Sequence, residues 1–264
     1  MKPGLSYLVC ATPRCGGYLL LEALEQTGLA GKPGEYFWDD KAWIEKLGAK
    51  DYTDFLDKVI ETSITPNGVF GTKIMWGYFE DFIGKVRQTD RFNGRTLTPP
   101  EILNELFPNM HYVFVTRRDK VRQAVSYWKG LQTLVWWDRK GTSQPQPTKE
   151  PVYDFEAIDY FVQELVFHEA AWQTYFTHYG LMSFSVMYED FVPTYEATAL
   201  RILEWLAIAF PPDLEFGPRR LQKQADELSE DWVKRFRAEK QLKVEDRNRH
   251  SPFNLVSWTC ADPT

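Results

Sequence analysis

The sequence is poor in cysteine and has no long hydrophobic run. Its three cysteines, at positions 10, 15 and 260, form neither a Cys-x-x-Cys pair nor an even disulfide framework. The apolar runs span only a few residues, far short of the ~20 that cross a bilayer. Residues 1–4 lead directly into a predicted strand and leave no room for a signal peptide. These absences predict a cytoplasmic protein in a reducing compartment, without a membrane span.

The sequence also lacks an excess of positive charge. It has 31 lysines and arginines against 37 acidic residues, a formal net charge of −6. Because neutralisation of phosphates dominates nucleic-acid affinity, this balance argues against nucleic acid as a partner. The basic residues cluster at 117–122 and 234–249. Such clusters in an acidic protein favour a small polyanionic ligand, and the alternative for each is a solvated helix face.

The order of hydrophobic patterns predicts the fold class. At 264 residues the chain, 1–264, is long enough for one large domain and short for two. Apolar runs predict four strands, at 6–11, 69–75, 111–116 and 182–187. Helical patterns alternate with them, at 18–26, 51–63, 98–106, 120–132, 155–178, 195–207 and 229–240. The starts of three of these helices are predicted from a cap at Asp51, a capping box that begins at Thr98 and a cap at Ser229. Strands separated by helices predict an α/β fold, a parallel sheet flanked by helices on both faces.

Residues 137–150 interrupt this alternation. The stretch combines Gly, Ser, Gln and Pro in close order, which predicts a long mobile loop. Loops of this length in compact domains are usually lids or binding loops.

A glycine loop, Thr12–Gly17 (Thr-Pro-Arg-Cys-Gly-Gly), lies between the first strand and the first helix. Backbone N–H groups at a helix N-terminus favour a phosphate or a sulfate, although by itself such a turn is often only a turn. An ATP-binding loop would continue with Gly-Lys-Ser/Thr. Its lysine binds the phosphates and its hydroxyl binds magnesium. Here Gly17 is followed by Tyr18, and the only cation of the loop, Arg14, comes earlier.

A second pair of residues far along the chain suits another phosphate. Arg118 follows the third strand, and Ser126 comes eight residues later inside the next helix. An arginine at a strand end and a serine two turns into the helix can converge on one phosphate. The alternative for Arg118 is a surface salt bridge.

The two sites, in this order, resemble those of sulfotransferases that use 3′-phosphoadenosine 5′-phosphosulfate. The glycine loop is similar to their 5′-phosphosulfate loop, and Arg118 with Ser126 to their 3′-phosphate site. More narrowly, the chain resembles the bacterial trehalose 2-sulfotransferase-like family. That resemblance covers nearly the whole chain in order and rests on segments 28–37, 66–76 and 224–232.

The resemblance implies a P-loop-like sulfotransferase fold, 3′-phosphoadenosine 5′-phosphosulfate as the donor and no metal. The transferred sulfuryl group carries a single negative charge, so one arginine can neutralise it. A kinase needs magnesium to neutralise the larger charge of the phosphates. The implied acceptor is a sugar or glycolipid hydroxyl, and family members are often homodimers. The implied donor-binding residues are Pro13, Arg14, Cys15, Gly16, Gly17, Tyr18, Arg118 and Ser126.

The implied catalytic residues are Arg14, at the sulfuryl and leaving oxygens, and Glu35, as general base. Transfer to a hydroxyl requires a base because a protonated alcohol is a poor nucleophile. Lys73, near the end of the second strand, is expected to contact the sulfuryl group or the acceptor, or to pair with a carboxylate. Tyr36 and Phe37, directly after Glu35, are expected on the acceptor side.

The loop departs from the family pattern at three positions. Members usually have serine after the loop cation and serine or threonine after the glycine, whereas this chain has Cys15, Gly17 and Tyr18. Hydroxyl donors are therefore lost, while backbone N–H groups remain. The departures leave a second hypothesis open, a catalytically impaired nucleotide-binding module of the same fold. A divergent ATP kinase would need the missing Gly-Lys-Ser/Thr.

Overall fold

The computed structural model describes residues 2–138, 140–141, 149–221 and 226–249. Most of the loop predicted at 137–150 lies outside these residues, as does Cys260. Gln224 and Ala225, from the third family-like segment, also lie outside them.

Four strands form one sheet in which all described pairings are parallel. They are β1 (Leu5–Ala11), β2 (Val69–Met75), β3 (Met110–Thr116) and β4 (Ser183–Met187). Their order across the sheet is β2-β1-β3-β4. The predicted parallel α/β fold is confirmed, and the carboxyl ends of all four strands meet at one edge of the sheet.

The described residues form ten α-helices, and a 3-10 turn at Val192–Thr194 joins α8 to α9. No helix in these ranges combines the length and the apolar composition needed to cross a bilayer. The helices are α1 (Gly17–Gln26), α2 (Asp40–Leu47), α3 (Tyr52–Ser63), α4 (Trp76–Arg87), α5 (Pro99–Leu106), α6 (Lys120–Thr133), α7 (Phe155–His178), α8 (Tyr188–Phe191), α9 (Tyr195–Trp205) and α10 (Glu227–Arg249).

Two hydrophobic cores cover the two faces of the sheet. Side chains alternate along a strand, so Leu8 and Cys10 of β1 face one core while Tyr7 and Val9 face the other. Helices α3, α4, α5 and α7 pack on the first face, and α1 and α9 on the second. A third cluster joins α6, α7 and α10. This arrangement leaves the carboxyl edge of the sheet for the loops.

The last helix begins differently from its prediction. Ser229 was expected to cap it, but α10 begins at Glu227 and the capping group is the carboxylate of Asp226. The Oδ1 atom of Asp226 accepts hydrogen bonds from the Ser229 backbone N–H at 3.0 Å and hydroxyl at 2.7 Å. Its Oδ2 atom pairs with Lys129 of α6 at 2.5 Å. Partial burial opposes ionisation, but the bonds from Lys129 and Ser229 outweigh it and lower the pKa of Asp226 to about 2.

We expect Asp226→Ala to lower the free energy of unfolding at neutral pH by about 0.5–2 kcal/mol, the usual value of a lost cap. The pKa of Asp226 is lower in the folded state than the ordinary carboxyl value, so its contribution is complete above about pH 4 and fades toward pH 2. Urea unfolding at pH 7 and pH 3 measures this. Asp57→Ala, an exposed change within α3, is the control and should cost nothing. If Asp226→Ala lowered the free energy of unfolding equally at both pH values, the ionised carboxylate would not be the cap.

Candidate active site

The loop after β1 leads into a helix whose first turn has no side-chain cap. Gly16 occupies the N-cap position of α1 with a φ of +94°, and no side chain accepts a hydrogen bond there. Aspartate carboxylates cap the N-termini of five other helices, at Asp39, Asp51, Asp119, Asp154 and Asp226. The first N–H groups of an α-helix have no partner within the helix, and together with the dipole they favour an anion. The N-terminus of α1 therefore has the properties of an anion site.

Glycine is required at position 16 by the packing of the loop. A Cβ there would lie 2.4 Å from Cδ2 of Tyr188, the first residue of α8. At position 17 a Cβ would lie 3.0 Å from Cδ of Lys73 in β2. The two glycines therefore allow β2 and α8 to approach the backbone closely.

Two arginines, the half-buried Arg14 and the buried Arg117, lie side by side at this loop. Nε of Arg14 donates to Oγ of Ser126 at 2.9 Å, and its Nη1 donates to the carbonyl of Trp136. Nη1 of Arg117 donates to the carbonyl of Arg14 at 3.3 Å. Burial and the charge of Arg117 lower the pKa of Arg14 to about 10, so it remains protonated at neutral pH.

The positive charge of the Arg117 guanidinium is only partly compensated by its neighbours. Its Nε atom is buried and has no hydrogen-bond partner, and Oε1 of Glu189 lies 3.8 Å away. Its guanidinium packs over the Tyr188 ring, 4.6 Å from the centroid. Burial lowers the pKa of Arg117 as well. A buried cation with an unused donor fits an anionic ligand. Sequence reasoning did not select this residue, and its only signal was its place directly after β3 within a basic cluster.

The two residues predicted for the second phosphate have different partners in the structure. Ser126 is directed to Arg14, whereas Arg118 forms an ion pair with Asp190 at 3.0 Å. Both members of that ion pair are exposed, at 60% and 69%. The backbone N–H of Arg118 donates to Glu189 at 2.9 Å, which fixes the residue at the end of β3. The alternative of a surface salt bridge for Arg118 is the arrangement observed.

Glu35 and Lys73 form a buried ion pair beside the loop. Lys73 Nζ lies 2.9 Å from Oε2 of Glu35, and the two side chains are 4% and 5% exposed. Gly34 positions the carboxylate, because its carbonyl accepts the Lys73 backbone N–H at 2.8 Å along the outer side of β2. The ammonium also lies 3.9 Å from the centroid of the Tyr18 ring in α1. Lys73 thus connects the N-terminus of α1 to Glu35.

The second oxygen of Glu35 has no partner. Oε1 is buried and accepts no hydrogen bond, which is unusual for a carboxylate oxygen inside a protein. An unpaired acceptor beside an anion site is suited to receive a proton or a hydroxyl hydrogen bond. The sequence left two roles open for Lys73. The structure shows the second of them, a pair with a carboxylate.

Three of the predicted site residues direct their side chains into the cores. Cys15 is fully buried and belongs to the core under α1, and burial raises the pKa of its thiol. The Tyr36 hydroxyl donates to the carbonyl of Lys32. The Phe37 ring packs against that of Phe82 at a tilt of 34°, with 4.4 Å between centroids. The structure therefore does not bring the side chains of Cys15, Tyr36 and Phe37 to the surface of the site.

Pro13 contributes through its backbone. Its carbonyl accepts a hydrogen bond from Nε2 of Gln123 at 2.7 Å, and the same nitrogen donates to Oγ1 of Thr12 at 2.9 Å. Gln123 is fully buried in α6. This amide ties the loop to the helix that carries Ser126.

The fold and the site together define a class of protein. A parallel sheet carries, at its carboxyl edge, an uncapped helix N-terminus, two neighbouring arginines and a carboxylate with an unpaired oxygen. Within the described ranges no group of three or more His, Cys, Asp or Glu side chains is placed to hold a metal. These features are those of an α/β protein that binds a phosphate or sulfate ester.

Comparison with known proteins narrows the class to a family. The model of the Stf0 sulphotransferase family matches residues 6–239, and the chain belongs to this family. It is 31% identical over 259 residues to the trehalose 2-sulfotransferase of Mycobacterium tuberculosis (strain ATCC 35801 / TMC 107 / Erdman), covering 88% of this chain and 94% of that one. It is 28% identical over 263 residues to the trehalose 2-sulfotransferase of Mycolicibacterium smegmatis, covering 89% and 96%.

A solved structure supports the fold. The crystal structure of a sulfotransferase from Alicyclobacillus acidocaldarius superposes with a TM-score of 0.50, covering 93% of this chain and 95% of that one. The sequences are 12% identical, so the likeness concerns the fold alone.

We expect Gly16→Ala to destabilise the protein more than Gly28→Ala. Both glycines have positive φ, +94° and +65°, so alanine at either position costs about 1–2 kcal/mol in backbone strain. Only at Gly16 would the new Cβ also meet a ring, that of Tyr188, whereas the space around Gly28 is open. Urea unfolding of both variants measures the difference. Equal losses would show that Tyr188 does not constrain the loop.

Proposed function

We propose that this protein transfers a sulfuryl group from 3′-phosphoadenosine 5′-phosphosulfate to a hydroxyl of a carbohydrate or glycolipid acceptor. The observation that carries the proposal is the carboxylate of Glu35, buried beside the anion loop with Oε1 unpaired and Oε2 bound to Lys73. Membership of the Stf0 family supports sulfuryl transfer. The names of the two relatives, both trehalose 2-sulfotransferases, support a carbohydrate acceptor.

The 5′ end of the donor would bind at the start of α1. The backbone N–H groups of Gly16, Gly17 and Tyr18 supply donors for the 5′-phosphate, in place of the hydroxyls that the family usually has. Arg14 and Arg117 supply the positive charge, and the unused Nε of Arg117 gains a partner. An anion at this point also relieves the repulsion between the two guanidinium groups.

The 3′-phosphate would bind between Arg118 and Ser126. The exposed ion pair of Arg118 with Asp190 contributes little free energy, so a phosphate can replace the carboxylate at small cost. Ser126 accepts from Arg14, and its hydroxyl hydrogen can donate to a phosphate oxygen. Ser126 would then link the two phosphate sites, and recognition of a 3′-phosphate would distinguish this donor from ATP.

Glu35 would receive the proton of the acceptor hydroxyl. As the acceptor oxygen forms its bond to sulfur, the bond from sulfur to the bridging phosphate oxygen breaks, and that oxygen keeps the electron pair. Arg14 stabilises the negative charge that develops on the leaving oxygen. Lys73, whose ammonium packs on the Tyr18 ring, binds Oε2 and leaves Oε1 for the proton.

Glu35→Gln is expected to reduce turnover by about 10²–10⁴-fold, the usual contribution of a general base. Binding of adenosine 3′,5′-bisphosphate should be unchanged, because the amide keeps the shape of the side chain. Mass spectrometry of sulfated trehalose measures turnover, and calorimetry measures nucleotide binding. Glu215→Gln, at an exposed position, is the control.

Retained turnover in Glu35→Gln would exclude Glu35 as the base. A wild-type protein that binds the bisphosphate but sulfates neither trehalose nor related glycans would instead be a catalytically impaired nucleotide-binding module.

A further inference from the structure

The backbone of the glycine loop is strained at Arg14. The φ angle of this residue is +62°, in the left-handed region that a side chain with a Cβ disfavours. A strained conformation at a functional site persists only where its surroundings hold it. The contacts of the peptide groups on either side of Arg14 therefore determine whether the loop keeps this shape.

Two side chains from outside the loop bind those two peptide groups. Nε2 of Gln123 donates to the carbonyl of Pro13, the residue before Arg14, at 2.7 Å. Nη1 of Arg117 donates to the carbonyl of Arg14 itself at 3.3 Å. Nε2 of Gln123 also donates to Oγ1 of Thr12 at 2.9 Å, so both hydrogens of this buried amide nitrogen are used within the loop. Gln123 therefore makes the shorter contacts and the larger number of them.

The orientation of the Gln123 amide is fixed from its other side. Nζ of Lys120, one turn earlier in α6, donates to Oε1 of Gln123 at 3.4 Å. An ammonium can only donate and a backbone carbonyl can only accept, so the amide fits between Lys120 and Pro13 in one orientation. The carboxylate of Glu169 in α7 holds the ammonium in place at 2.5 Å. The ion pair between α6 and α7 thus directs the amide nitrogen toward the loop.

Helix α7 also fixes the strand ends from which the loop and Arg117 project. Nε1 of Trp172 donates to the carbonyl of Ala11, the last residue of β1, at 3.0 Å. The carboxylate of Glu169 accepts from the hydroxyl of Thr116, the last residue of β3. The supports of the loop on both sides of Arg14 therefore belong to one connected polar network.

We propose that Gln123 is a positioning residue for the anion site, which holds the left-handed backbone of Arg14 and so fixes the direction of its guanidinium. Lys120 and Glu169 keep the Gln123 amide in the orientation that this requires. A loop that is already held in its binding shape does not have to be ordered when the anion binds, which favours affinity. The inference rests on the proposed function and adds the residue that shapes its donor site.

Gln123→Met, which replaces the amide by an apolar side chain of similar length, tests the proposal. We expect the affinity for adenosine 3′,5′-bisphosphate to fall by about tenfold or more, because Arg14 is no longer held in its binding conformation. Calorimetry of the full chain measures this affinity. The affinity for inorganic sulfate should fall in the same direction, followed by the NMR signals of the Gly16 and Gly17 N–H groups in protein labelled with ¹⁵N-glycine.

Gln132→Met is the matched control. Gln132 is a second buried glutamine in α6, and its amide bonds the backbone of Val152 at 2.9 Å and 3.0 Å rather than the glycine loop. We expect this variant to lose stability as Gln123→Met does, while both anion affinities stay within about twofold of the wild type.

The form of the loss separates positioning from support of the fold. A partly unfolded variant binds fewer ligands per chain with an unchanged dissociation constant, whereas a displaced loop raises the dissociation constant at full stoichiometry. Gln123→Asn is the second variant, for the case that Gln123→Met does not fold. Its amide is one methylene shorter and cannot reach Lys120 and Pro13 together, so it should also raise the dissociation constant.

Unchanged dissociation constants for both anions in Gln123→Met and Gln123→Asn would overturn the inference, as would a loss of stoichiometry alone. A wild type that binds neither anion would overturn it as well. Binding of sulfate without binding of the bisphosphate would overturn the proposed function alone, and the sulfate affinities of the variants would still decide the role of Gln123.

Discussion

The ion pair between Lys73 and Glu35 connects the parts of this site that lie far apart in the sequence. Both side chains are almost fully buried, and removal of either partner would leave a buried charge without compensation, at a cost of about 3–5 kcal/mol. A buried pair is a weak source of net stability, because desolvation offsets the attraction. Its consequence here is geometric. It fixes the segment after α1 against β2 and brings the Glu35 carboxylate to the start of α1.

The unusual residues of the glycine loop can be understood from this pair. Gly17 leaves room for the stem of Lys73, since a Cβ would lie 3.0 Å from Cδ. Tyr18 places its ring 3.9 Å from the ammonium, a cation–π contact that a serine or threonine could not make. Cys15 fills the core beneath α1. Two of the three departures from the family's hydroxyl residues, Gly17 and Tyr18, therefore have the same structural reason: they accommodate Lys73.

Much of the fold could be predicted because its signals are local. The alternation of apolar residues, the Asp51 cap and the capping box at Thr98 located strands and helices to within a few residues. Helix α4 was missed because it follows β2 without a capping side chain and contains two glycines. Helix α2 was missed because most of its residues are not buried, so its pattern is weak.

The site was only partly predictable, since orientation depends on tertiary contacts. Sequence position indicated Arg14 and Glu35, but it could not show that Ser126 is directed to Arg14 or that Phe37 belongs to the core. Arg117 was overlooked because its neighbour Arg118 carried the family resemblance. The unused Nε that distinguishes Arg117 exists only in the folded protein.

In the proposed function, this edge of the sheet holds two phosphates of one nucleotide without magnesium. Calorimetric titration of the full chain with adenosine 3′,5′-bisphosphate, adenosine 5′-monophosphate and ATP tests it most directly. We predict that the bisphosphate binds at least about tenfold more tightly than the monophosphate, a difference of about 1.4 kcal/mol or more, with and without magnesium. Tighter binding of magnesium-ATP than of the bisphosphate would contradict it.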